Sequence, residues 1–118
     1  MSIGWDVSDV QPRKGGFPVR SFLSNLTQEE RATAIALIQL LRERGNALRR
    51  PHSGSLGGGL FELRDVQSSV RVFYTFLPGK RAVLLGGIEK IRGDIPAQAL
   101  KAVRKLCAEA RTATREAE

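Results

Sequence analysis

The sequence predicts an α+β fold: a small antiparallel sheet of about four strands packed against an N-terminal helical hairpin, with a helix closing the chain. Three observations lead there. Between Gly57 and Arg92 lie three short apolar runs, Leu60 to Arg64, Val70 to Leu77 and Ala82 to Ile88, each of strand length and rich in Val, Leu, Phe and Tyr. Thr27 followed by Glu30 forms a capping box ahead of apolar residues at helical spacing. Asp94-Ile95-Pro96 then offers an N-cap and a proline for the first turn of a last helix.

In chain order, Ile3, Trp5 and Val7 alternate with small or polar residues, and this period of two predicts a first strand within Ser2 to Val10. Gln11 to Gly16 reads as a loop, and Pro18 near the start of Phe17 to Leu23 opens a short helix. The helix from Gln28 to Arg44 carries Ala34, Ile35, Ile38 and Leu41 as its apolar stripe, flanked by Leu37, and ends on Arg42, Arg44 and Gly45. Asn46 to Gly59 reads as a long polar connection. Its GSLGGGL segment lacks the GK[ST] ending and the following helix of a phosphate loop, so nucleotide triphosphate binding is rejected. Pro78-Gly79 turns the second apolar run back on the third, making a hairpin. Alternation places Phe61, Leu63, Val72, Tyr74 and Phe76 on core-facing positions, with Glu62, Arg64 and Arg71 opposite. One sheet face is then a core, and the other presents arginines to an anion. The last helix buries Leu100, Val103, Leu106 and Ala110 beside Cys107, and the tail beyond about Thr112 frays.

The 118 residues, 42% of them hydrophobic, suffice for one core and are read as a single domain, residues 1–118. No apolar run is long enough to span a bilayer, no signal-peptide pattern opens the chain, and the expected location is the cytoplasm. One cysteine and one histidine exclude a disulfide scaffold and a zinc module. The net charge of +7 is concentrated: residues 42–105 hold 13 basic and 5 acidic residues. Such a field draws polyanions, nucleic acid or an acidic protein, although basic side chains also simply solvate a surface.

The segments PVRSFL, RERGNALRRPHS, LGGGLFELR, VRVFYTF, AVLLGGIEK and DIPAQALKAVRKL, in this order from Pro18 to about Leu106, resemble the RelE/ParE superfamily of toxins in its HigB-like, phage-related branch. The resemblance implies a RelE-like fold and a toxin neutralised by a cognate antitoxin, a helix-turn-helix DNA-binding protein. In the RelE and HigB members it further implies cleavage of mRNA on the ribosome without metal or cofactor. A 2′-hydroxyl attacks its own phosphate, leaving 2′,3′-cyclic phosphate and 5′-hydroxyl ends, while cations stabilise the phosphorane and a base and an acid move the protons. By the same resemblance Arg64 and Arg71 bind phosphate, and Lys90 binds phosphate or donates the proton.

The base is unassigned. Glu62 stands where such a nuclease carries a lysine, Glu89 sets an anion beside Lys90, and Pro96 falls about where a C-terminal tyrosine would act. Tyr74 reads as a core residue. His52, the one histidine, is the best available base, and otherwise an ordinary loop residue. Arg49, Arg50 and Arg92 are candidate RNA contacts, with solvated loop charges or a turn cap as the plainer reading. Lys80 and Arg81 flank the hairpin turn and read as ordinary surface residues, with a contact to ribosomal RNA as the alternative, and Cys107 packs a helix. Two further functions stay open: a ParE-like toxin that inhibits a protein such as DNA gyrase without cutting RNA, and a phage-derived binding protein with no toxic role.

Overall fold

A computed structural model describes residues 4–89 and 93–117. The elements run β1 (Asp6–Asp9), α1 (Pro18–Ser24), α2 (Gln28–Arg44), a 3-10 turn (Gly45–Ala47), β2 (Ser53–Gly57), β3 (Leu60–Arg64), β4 (Val70–Leu77), β5 (Arg81–Glu89) and α3 (Ala97–Ala117). The five strands form one sheet in the order β1-β5-β4-β3-β2. The meander β3 to β5 is antiparallel, as expected, and β2 extends it antiparallel to β3, but β1 joins the far edge parallel to β5, pairing Asp6 with Arg81 and Asp9 with Leu84.

Two corrections concern the predicted connections. The segment 46–59 is not a loop throughout, because Ser53–Gly57 forms an edge strand on β3. Serine and glycine give it no strand signature, and the pairing comes from the tight turn at its end. The tail beyond Thr112 continues as helix to Ala117.

α2 begins where its sequence dictates. The Thr27 backbone N–H donates to Glu30 Oε1 at 2.9 Å, and the Glu30 N–H donates to Thr27 Oγ1 at 3.1 Å. Its buried face is Ala34, Leu37, Ile38 and Leu41, whereas Ile35, assigned to the stripe in the sequence, is 54% exposed. At about 100° per residue Ile35 lies a quarter-turn off the line joining the other four. Arg31 fastens α1 to α2 by donating from Nε to the Leu23 carbonyl at 2.9 Å and from Nη2 to that of Leu26 at 3.0 Å.

The sheet is covered on both faces. Val19, Leu37, Ile38 and Leu41 of the helical pair pack against Leu63, Val70, Val72, Tyr74, Ala82 and Leu84. On the opposite face Val103 and Cys107 of α3 pack against Leu60, Phe73, Val83 and Leu85. The expectation of one core face and one arginine face needs correcting, since α3 covers much of the second face and leaves the arginines only its end.

A bulge in β5 sets which side chain goes where. Phe73 pairs with Gly86 and Tyr74 with Leu84, so Leu85 and Gly86 together oppose one residue of β4. Beyond it Gly87 turns to α1, where a Cβ would strike the Phe22 ring and lie 2.7 Å from the Arg71 carbonyl oxygen. Gly87→Ala should therefore cost about 1–3 kcal/mol through overpacking, read as a lower urea midpoint with an unchanged slope.

Candidate functional site

Arg64 and Arg71 reach the same place because β3 and β4 pair in a fixed register. Arg64 lies directly opposite Arg71, and Glu62, two residues back on β3, projects from the same face. Two like charges facing each other across a ladder repel, and Glu62 supplies the compensation. Arg71 Nε stands 3.3 Å from Glu62 Oε1, with both side chains largely buried. Arg71 Nη1 donates to the carbonyls of Ser68 at 3.2 Å and Val70 at 3.1 Å. The guanidinium is thus fixed along one edge, and no described residue bonds its Nη2. Arg64 is held through Nε, 3.1 Å from the Pro51 carbonyl oxygen, which leaves both of its terminal nitrogens without a described partner.

These side chains line a cleft of about 180 Å³ together with Leu56, Gly93, Asp94 and Ile95. It lies where α3 has not yet begun to cover the sheet. The cleft can present guanidinium N–H groups to an anion while a carboxylate stands beside them, which is the chemistry of phosphate binding joined to proton transfer.

α3 fixes the wall opposite the arginines. Gly57, Gly58 and Gly59 all have positive φ, 87°, 64° and 83°, so the turn between β2 and β3 needs glycine. Arg104 donates to the Leu56 carbonyl at 2.8 Å and to that of Gly57 at 3.1 Å, and Arg111 donates to that of Gly58 at 3.3 Å. The glycines of the GSLGGGL segment build a hairpin turn clasped by a helix.

The other sequence-predicted residues do not all join this cleft. Lys90 and Arg92 lie outside the described residues. The His52 carbonyl accepts the Arg64 backbone N–H at 2.9 Å, and His52 lines a different cleft, of about 230 Å³, with Thr33, Ala36, Leu37, Leu40 and Asp65 beside α2, rather than the one that Arg64 and Arg71 share. Arg49 donates to the carbonyls of Asn46 and Leu48, and Arg50 is exposed beside it. Glu89 faces α2, where a hydrogen bond shared with Glu30 pushes its carboxyl up; the bond from the Thr27 backbone and that from Glu89 hold Glu30 down. Glu89 is therefore directed away from the arginines.

Tyr74 is a core residue, as read from its alternation. It is 1% exposed, its phenol shares a hydrogen bond with Ser53, and burial pushes the phenol up despite that bond and the charge of Arg49. Tyr74→Phe is expected to cost about 1 kcal/mol of stability and to leave activity intact, a pairing that denaturation and an activity assay on one sample can check.

The cleft residue that the sequence reading undervalued is Glu62. Its alternation with Arg64 on β3 placed it on the arginine side, and that was the available signal.

Comparison with known proteins gives a family and a fold. Residues 21–108 match the family described as phage derived protein Gp49-like. The isolated E. coli RelE toxin matches in structure with a TM-score of 0.51 at 13% sequence identity, over 84% of this chain and 98% of that one. No curated protein matches the sequence.

Proposed function

The chain belongs to the Gp49-like phage-derived protein family and has the RelE fold, and from this we propose that it is a toxin that cuts mRNA on the ribosome, neutralised by a cognate antitoxin. The observation that carries the reading is the cleft at the end of β3 and β4, where Arg64, Arg71 and Glu62 meet. Arg64 and Arg71 hold the scissile phosphate and stabilise the charge that builds on it as the 2′-oxygen attacks. Glu62, gripped through Oε1 by Arg71, takes the 2′ proton, the role expected of His52 from the sequence. Lys90 donates a proton to the departing 5′ oxygen. The new P–O2′ bond and the broken P–O5′ bond leave a 2′,3′-cyclic phosphate and a 5′-hydroxyl.

The antitoxin of this reading is a helix-turn-helix DNA-binding protein that lays an apolar and acidic segment over the basic surface. Brief expression in a bacterial host, with mapping of mRNA 5′ ends, tests the nuclease. New 5′-hydroxyl ends inside translated frames are the expected result.

One observation favours a second reading. Tyr74 is the sole tyrosine and is buried, so no tyrosine can serve the cleft. A ParE-like toxin that binds and inhibits a protein such as DNA gyrase needs none, and growth arrest without new RNA ends would select it. Absence of growth arrest would instead select a phage-derived binding protein without a toxic role.

A further inference from the structure

The outer face of α3 carries Lys101, Arg104, Lys105, Arg111 and Arg115, all exposed. At 100° per residue the five fall within an arc of about 120°, and Lys101 and Arg115 are about 21 Å apart along the axis. No carboxylate lies within that arc. Lys101 with Lys105 and Arg111 with Arg115 are like charges four residues apart, and Lys101 with Arg104 three apart, each pairing unfavourable to the helix. A face serving solubility alone mixes signs and avoids that cost.

The ridge is joined to the cleft. Arg104 grips the carbonyl of Leu56, and Leu56 lines the cleft that holds Arg64 and Arg71. A polyanion leaving the cleft past Leu56 meets Arg104 and then Arg111 and Arg115.

We propose that this basic ridge of α3 is a second RNA site, which binds the phosphodiester backbone of single-stranded RNA flanking the phosphate in the cleft. The choice of RNA rests on the reading of the chain as an RNA-cutting toxin. Composition favours RNA over an acidic protein, since protein interfaces centre on apolar and aromatic side chains and are poor in lysine, whereas this ridge sets only Ala97, Ala108 and Thr112 among its five basic residues and carries no aromatic or large apolar side chain.

The test is binding of a short labelled single-stranded RNA with 2′-O-methylated riboses, which cannot be cut, as a function of salt. The variant is Lys101→Gln/Lys105→Gln/Arg115→Gln, sparing Arg104 and Arg111 because they hold the β2–β3 turn, with circular dichroism to verify folding. Loss of three phosphate contacts should lower the slope of log affinity against log salt by about 2 and weaken binding about tenfold or more near 0.1 M salt. Unchanged affinity and slope in the folded variant would overturn the proposal, as would failure of the unsubstituted protein to bind the RNA. Polyglutamate bound as tightly as RNA, and lost equally in the variant, would replace RNA with an acidic protein. If the unsubstituted protein binds as expected yet cuts no RNA in the host, the nuclease reading falls and the ridge stands.

Discussion

Arg71→Ala should lower RNA cleavage by about 10²–10³-fold and abolish toxicity, because it removes a preorganised cation from the position where phosphorane charge develops. The same change leaves Glu62, 8% exposed, without its ionic partner, at a stability cost of about 1–3 kcal/mol. Loss of activity must therefore be read on protein shown to be folded, and Arg71→Lys separates the two effects. Lysine keeps the charge but cannot reach Glu62 and the carbonyls of Ser68 and Val70 with a planar fork, so an intermediate rate is expected. Single-turnover cleavage beside thermal unfolding is the measurement. A folded Arg71→Ala protein that still cuts at the original rate would remove the arginine from the mechanism.

Glu62→Gln should reduce the rate about 10²–10⁴-fold. Glutamine keeps an amide oxygen to accept from Arg71 Nε, so the guanidinium stays in place while the proton acceptor is lost. Glu62→Ala distinguishes this from mere displacement of Arg71, because it removes the proton acceptor and the anchor of the guanidinium together. Glu62→Gln should bind uncuttable RNA as tightly as the unsubstituted protein while cutting RNA slowly, whereas Glu62→Ala loses affinity as well. If Glu62→Gln keeps the rate, another group takes the 2′ proton.

Local signals made most of the fold legible. The capping box of Thr27 and Glu30 set the start of α2, and β3 and β4 appear over the residues their alternation marked. Ser53–Gly57 escaped notice because an edge strand of serine and glycine has no apolar period, and only pairing with Leu60–Arg64 makes it a strand. The parallel pairing of β1 with β5 is a long-range event that no local pattern encodes.

The site was partly legible for the same reason. Arg64 and Arg71 share a face because alternation along a strand is read directly from sequence. The placement of His52 beside α2 follows from the path of its loop, which sequence does not specify. Alternation puts Glu62 on the arginine side, but its ion pair with Arg71 requires the β3–β4 register, which alternation does not specify.

The bulge at Leu85 and Gly86 limits how this chain can change in length. Both residues oppose Phe73, so the strand holds one residue that its pairing does not need. With Gly86 removed, Leu85 alone would face Phe73, while Gly87, Ile88 and Glu89 would stay opposite Val72, Arg71 and Val70 and keep their sides. A deletion at Val83 that used up the bulge would instead make Leu84 and Leu85 exchange faces, turning each out of its own core. Among descendants of this sequence, the loss of one residue between Arg81 and Glu89 should therefore fall at the bulge.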